Sequence, residues 1–245
     1  MATREGQLLA TLIELADTLV SDYDLLDYLD LLLERSRGVL GATAGGVLLS
    51  NGSGALAPLA SSHEQMRLLE LFEVQSDEGP CIDSYRSNAQ VYEEDLARSS
   101  RWPRFTPLAL DRGYGSVFAF PLRLREQVLG ALNLFKAQPG PAARPDLDTA
   151  QAFADMATIG ILQERAAREA RALAGQLQTA LNSRIVIEQA KGILAEHARL
   201  DMGDSWQALR WYARNHNLHL RHVAAGVVDG TLDADQVAGA RPPVH

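Results

Sequence analysis

Apolar residues recur along this chain with two different periods, and the change from one to the other marks its organisation. Leu8, Leu12, Leu15 and Leu19, then Leu25, Leu29, Leu32 and Leu33, follow helical spacing and predict two amphipathic helices. The pattern then shortens. Gly45-Gly46-Val47-Leu48-Leu49-Ser50 is an apolar run ended by Asn51-Gly52-Ser53-Gly54, and residues 55–60 follow, which predicts a hairpin. A second hairpin is predicted where 115–121 and 128–135 flank the charged turn 123–127. Between the hairpins stand a helix-like stretch at 63–73 and a loop-rich segment at 75–112. Helices before, between and after antiparallel strands indicate an α+β domain, which Pro139, Pro141 and Pro145 close.

From Asp146 a helical pattern through Leu147, Ala150, Phe153, Ala157, Ile161 and Leu162 continues to about Leu181 without proline. At about 1.5 Å per residue such a helix outruns a small domain, so it is expected to pack against a second copy of itself; two helices broken near Gly175 are the alternative. Asn182-Ser183 could cap a further helix. Three short helical patterns follow, at 184–199, 203–215 and 218–229, and residues 240–245 read as a frayed tail. The resulting division is an N-terminal helix at 1–24, a first domain at 25–165, a coiled-coil-like helical linker at 166–182, a three-helix domain at 183–232 and a flexible tail at 233–245.

Composition sharpens this picture. The chain has 245 residues, 47% of them hydrophobic and 22% charged, in the range of folded soluble proteins. No apolar run is long enough to cross a bilayer, and the first 20 residues carry Arg4, Glu5, Glu14 and Asp17 where a signal peptide would be apolar, so a cytoplasmic location is expected. The net charge of −8 is unevenly placed. Residues 1–160 hold 13 Lys and Arg against 22 Asp and Glu, a balance of −9, whereas 161–245 hold 10 against 9, a balance of +1. A polyanion would therefore meet the C-terminal part, where His197, His216, His219 and His222 also lie. One cysteine, Cys81, allows no internal disulfide. No nucleophile–base constellation, phosphate-binding glycine loop or metal motif is visible, so neither an enzyme nor a bound cofactor is expected.

The segment Gln75-Ser76-Asp77-Glu78-Gly79-Pro80-Cys81-Ile82-Asp83, with Val91, Asp95-Leu96, Arg101-Trp102-Pro103-Arg104-Phe105, Gly113-Tyr114-Gly115-Ser116 and Gly130-Ala131-Leu132-Asn133-Leu134, resembles the GAF domains attached to actinobacterial RNA-binding antiterminators. The resemblance implies a PAS-like fold, an antiparallel sheet with helices on one side, and a pocket that in some relatives holds a small molecule. Cys81, Trp102 and Phe105 are the candidate pocket residues. Gly79-Pro80 predicts a turn into a helix whose N-terminus could acidify the Cys81 thiol; a small buried core residue is the alternative. Core packing is likewise the alternative for Trp102 and Phe105. A thiol reductase would need a second cysteine.

Arg184-Ile185-Val186-Ile187-Glu188-Gln189-Ala190-Lys191-Gly192-Ile193-Leu194, with Trp206, Leu209-Arg210, Ala213-Arg214, Leu220 and 223–228, resembles the ANTAR domain, a three-helix module of transcription antiterminators. The family usually shows Ala-Phe at Ser205-Trp206 and often a basic residue at Leu218-His219. Helical spacing puts Val186, Ala190, Ile193 and Leu194 on one stripe and Arg184, Glu188 and Lys191 on another. In the next helix Trp206, Leu209 and Ala213 share a face, with Arg210 and Arg214 beside it. Gly192 and Ala190 suggest a close helix approach. Arg184, Lys191, Arg210, Arg214 and Arg221 are the candidate RNA-binding residues, with Trp211 and Tyr212 as stacking platforms. The resemblance implies a homodimer that binds hairpins in nascent transcripts under control of the sensor, whose small-molecule ligand is open. A DNA-binding regulator and a module acting through protein partners are the rival readings.

Overall fold

A computed structural model describes residues 4–20, 23–51, 54–125 and 127–239. The chain divides between Ala166 and Ala167 into two compact units.

In the first unit, helices α1 (Arg4–Val20) and α2 (Leu25–Leu40) precede strands β1 (Ala44–Ser50) and β2 (Leu56–Ser61). Local chemistry sets the ends of α2: Asp24 accepts hydrogen bonds from the backbone of Leu26 and Asp27, and Gly41 turns the chain out at φ 63°. Next come α3 (Glu64–Ser76), α4 (Pro80–Ser87), β3 (Val91–Glu93), α5 (Phe105–Asp111), β4 (Ser116–Leu124), β5 (Gln127–Lys136) and α6 (Arg144–His197). The segment 75–112, expected to be loop-rich with a helix starting at Cys81, holds α4 there, and also the edge strand β3 and the short helix α5. The antiparallel sheet runs β2-β1-β5-β4-β3.

Helices cover both faces of this sheet, not one as the sequence suggested. The central strands show why: Ser116 to Leu122 of β4 and Leu129 to Phe135 of β5 are buried without a break, so neither face meets water. On one face Val47, Phe120, Leu132 and Leu134 pack with Leu29, Leu32 and Leu33 of α2 and Phe153 of α6. On the other, Ala44, Val117 and Phe135 meet Met66 and Leu69 of α3 and Phe105 of α5, while Leu48 and Ala131 meet Cys81 and Ile82 of α4.

Helix α6 is a single helix of 54 residues. The expected cap at Asn182-Ser183 and the alternative break at Gly175 are both absent. Ser183 Oγ donates to the Thr179 carbonyl at 2.7 Å and Thr179 Oγ1 to that of Gly175 at 2.8 Å, so the hydroxyls are satisfied inside the helix. From Leu173 to Ile185 its apolar side chains stand in solvent: Leu173, Leu177, Leu181 and Ile185 are 57, 62, 54 and 49% exposed.

The second unit joins the last turns of α6 to α7 (Met202–Asn215), α8 (Leu220–Asp229) and α9 (Ala234–Gly239). Ala190, Leu194, Leu209, Tyr212, Val223 and Val227 form its core. The fourth helix corrects the expectation of a flexible tail from 233. Asp233 accepts from the Asp235 backbone at 2.9 Å, and Val237 and Ala238 are buried in the same core; residues 240–245 lie outside the described residues.

Candidate functional site

Helix α3 turns the stripe Met66, Leu69, Glu70 and Glu73 towards the sheet, so two carboxyl groups lie where apolar side chains would be expected. Both glutamates are fully buried. Glu70 Oε2 accepts from Ser61 Oγ at 2.5 Å. Its other oxygen lies over Gly46, where any Cβ would overlap the carboxyl. Glu73 Oε1 accepts the Cys81 N–H at 2.5 Å and Oε2 accepts from Asn133 Nδ2 at 3.1 Å. Glu73 therefore caps α4 from outside, and Gly79, at φ 152°, leaves it room.

Burial dominates the electrostatics here. It pushes Glu73 up to about 8, against the opposing hydrogen bonds from Cys81, Ile82 and Asn133, and the charge of Asp83 pushes the same way. Glu70 is also raised by burial, against its hydrogen bond from Ser61 and with the help of Glu73. The Cys81 thiol is pushed well up by burial and by these two carboxyls. The acidified thiol considered from the sequence is thus corrected: α4 offers its first N–H groups to Glu73, and the sulfur sits in an apolar cluster.

Trp102 and Phe105 lie elsewhere in the core. Trp102 adopts φ 53°, which a bulky residue rarely does. Its indole N–H donates to Asp83 at 2.9 Å, the Arg101 guanidinium lies 4.6 Å above the ring, and Phe105 meets it edge-on at 6.0 Å. Glu78 caps α5 by accepting from the backbone of Arg104 and Phe105. The Trp102–Phe105 pair and Cys81 belong to different apolar clusters, so the structure does not join the three candidate residues into one pocket.

In the second unit, α7 buries Ser205, Ala208, Leu209, Tyr212 and Ala213 and leaves Arg210 and Arg214 exposed, four residues apart. Trp206 is only half-buried, not a core residue as expected, and the Arg210 guanidinium lies over its ring at 5.7 Å. Tyr212 is buried and stacks on His216 at 4.0 Å, which removes it as a platform, while Trp211 is half-buried. Lys191 is paired to Glu188 at 2.8 Å, with 16% of its side chain exposed. Arg184, Arg214 and Arg221 are exposed and have no ion-pair partner among the described residues. Gly192 has open space around its Cα and marks no close approach; Ala190 is the buried one.

A family model for the GAF domain matches residues 23–162, and one for the ANTAR domain matches residues 175–228. The chain belongs to the GAF domain family and carries an ANTAR domain. Solved structures agree on the fold of the GAF domain. A GAF domain from a phosphoenolpyruvate-protein phosphotransferase of Coxiella burnetii superposes with a TM-score of 0.55 at 15% identity, over 69% of this chain and 99% of that one. Its counterpart from Acinetobacter gives 0.51 at 17% identity, over 69% and 99%. Free methionine-R-sulfoxide reductase from Neisseria meningitidis gives 0.53 at 13% identity, over 68% and 96%. No curated protein matches the chain. No helix among the described residues is long and apolar enough to cross a membrane.

Sequence reasoning overlooked the buried polar knot of the GAF domain, formed by Ser61, Glu70, Glu73 and Asn133. A signal was present. Positions 66, 69, 70 and 73 make one helical stripe, and two glutamates on the core stripe of a helix require an explanation.

Proposed function

We infer that the chain is an RNA-binding antitermination regulator, in which the GAF domain senses a small molecule and the ANTAR domain binds hairpins in nascent transcripts. The observation that carries this reading is the set of arginines on the ANTAR domain, Arg184, Arg210, Arg214 and Arg221, exposed and without carboxylate partners among the described residues. Cations left unpaired can meet phosphates at no cost of breaking ion pairs, while Trp206 with Arg210 offers a surface for an unpaired base. Lys191 must leave Glu188 before it can contribute.

The reading includes a homodimer. Leu173, Leu177, Leu181 and Ile185 recur every four residues on α6, and such a row favours helix pairing over solvent. Two ANTAR domains would then engage paired hairpins in the cytoplasm, where the transcript is made. No catalytic step enters the scheme: the domains are regulatory, and the GAF thiol is buried and protonated.

Filter binding of a hairpin RNA and a duplex DNA of equal length, across salt concentrations, tests this. Four free cations at about −0.7 each predict a log affinity against log salt slope near −3 for one ANTAR domain. Replacing Arg210 and Arg214 by alanine halves the slope. Equal affinity for duplex DNA supports a DNA-binding regulator instead, and binding of neither leaves a module that works through protein partners.

A further inference from the structure

No Asp or Glu occurs from Ser205 to Val228, although 31 stand elsewhere in the chain. The same stretch carries Arg210, Arg214 and Arg221 and three of the six histidines. Its middle, the corner between α7 and α8, is built as a fixed turn. Asn217 takes the left-handed conformation at φ 52°, the Leu218 N–H donates to the Ala213 carbonyl at 2.8 Å, and the Asn217 N–H donates to that of Arg214 at 3.3 Å. The His216 ring lies on Tyr212, with Nδ1 2.9 Å from the Tyr212 carbonyl, and so belongs to the support of the turn itself.

The rest of the corner is uncommitted. Asn215, Asn217, His219 and His222 are exposed, and their side chains make no hydrogen bond or ion pair to other described residues. The His219 and His222 rings stand edge to face at 5.7 Å, and Leu218 beside them is 48% exposed. His219 occupies the cap position of α8 yet gives that helix no side-chain hydrogen bond, so helix capping does not account for it. Rings and an apolar side chain next to free amides, with a guanidinium on either side, match the three parts of an unpaired nucleotide: a flat apolar face, a polar edge and a phosphate.

We propose that the corner 214–222 reads unpaired bases in an RNA hairpin loop, with His219 and His222 stacking on a base, the Asn215 and Asn217 amides bonding base edges, and Arg214 and Arg221 holding the flanking phosphates. Short amides on a turn cannot reach the base edges of a paired stem, because the major groove of A-form RNA is deep and narrow; bases splayed out of a loop come to them. An acidic protein segment fits less well. It would satisfy the arginines and leave the amides and rings without a role. The arginines thus set how tightly RNA is held and the corner sets which loop is held, and only the first depends strongly on salt.

The proposal rests on reading the ANTAR domain as RNA-binding, and its test separates the two. Hairpins that share one stem and carry a randomised loop are selected for binding to the full chain. The selected hairpin is then compared, by filter binding, with an oligouridine loop on the same stem. The wild type should prefer the selected loop by about tenfold or more. Asn217→Gly, which suits the left-handed turn, and His219→Ala should each cut that preference about three- to tenfold, and Asn217→Gly should leave the salt slope unchanged. His219→Phe, which keeps a stacking ring, should retain most of the preference. Arg214→Ala should instead weaken both hairpins alike and flatten the slope by about 0.7. Failure to enrich any loop over the oligouridine control, or an unchanged preference in both Asn217→Gly and His219→Ala, overturns the corner as the reader and leaves RNA binding in place; the wild-type comparison decides even where a variant fails to fold. Binding of neither hairpin overturns the RNA reading and the corner with it.

Discussion

Replacing Glu73 by glutamine measures what a buried proton is worth to the GAF domain. In the unfolded chain this carboxyl titrates near its ordinary value of 4.5, and in the fold burial holds it at about 8. Between those values the folded chain carries one proton more than the unfolded chain, so stability falls as pH rises. The contribution is complete below 4.5 and is lost as pH climbs through about 8. At about 1.4 kcal/mol for each pH unit, the gap of 8 − 4.5 = 3.5 sets a ceiling of about 5 kcal/mol, of which roughly 3–4 kcal/mol disappears between pH 5 and pH 8. Glutamine keeps the volume and the acceptor for the Cys81 N–H. Its new N–H₂ faces Asn133, whose amide can rotate to present the Oδ1 that has no partner among the described residues. Glu73→Gln should therefore match the wild type within about 1 kcal/mol at pH 5 and exceed it by roughly 3–4 kcal/mol at pH 8. Urea unfolding followed by Trp102 fluorescence, with Trp206 and Trp211 replaced by phenylalanine, reads this domain alone. Two stability curves that run parallel from pH 5 to pH 8 would refute the reasoning, because they would mean that Glu73 is already charged in the fold.

Four further outcomes follow from the packing. A Cβ on Gly130 would overlap the Leu48 carbonyl across the β1–β5 ladder, where backbone cannot yield, so Gly130→Ala should cost about 3 kcal/mol; Gly192→Ala, with open space in a helix, should gain about 0.5–1 kcal/mol by thermal unfolding. Cys81, fully buried with its thiol held protonated, should resist a water-soluble disulfide reagent in the native chain and react at once in 6 M guanidinium; rapid native reaction would contradict its placement. Leu177→Glu puts a charge in the exposed row of α6 and should convert a dimer into a monomer by light scattering, whereas the same change at Gln178 should not; a wild type that is monomeric at high concentration would discard the dimer.

Periodicity located most of the helices and both hairpins because each buries a continuous apolar stripe, as with Leu29, Leu32 and Leu33 of α2. It failed where continuity depends on local hydrogen bonding. Asn182-Ser183 has the composition of a helix cap, yet Ser183 bonds back to Thr179 and α6 passes through. Likewise α9 is short, and only its burial of Val237 and Ala238 distinguishes it from a tail. Of the candidate RNA residues, exposure could be anticipated for Arg210 and Arg214 from the positions of Leu209 and Ala213, whereas the pairing of Lys191 required knowing the Glu188 rotamer.

The buried polar groups of the GAF domain were the hardest to read, for a reason that lies in protonation. Pattern reading counts a glutamate as charged and assigns it to the surface, and so it passes over Glu70 and Glu73 of α3. A carboxyl that holds its proton is instead a compact neutral group with a donor and an acceptor, comparable to glutamine, and it can stand on a core stripe if the strand opposite makes room. Gly46 makes that room for Glu70, and Gly79 does so for Glu73. The two glycines and two glutamates form a complementary set: a larger residue at either glycine would displace a carboxyl from the core, and the carboxyls give those positions their need for glycine. The polar interior of the GAF domain is therefore encoded in pairs of positions, 46 with 70 and 73 with 79, each of which is unremarkable until its partner is known.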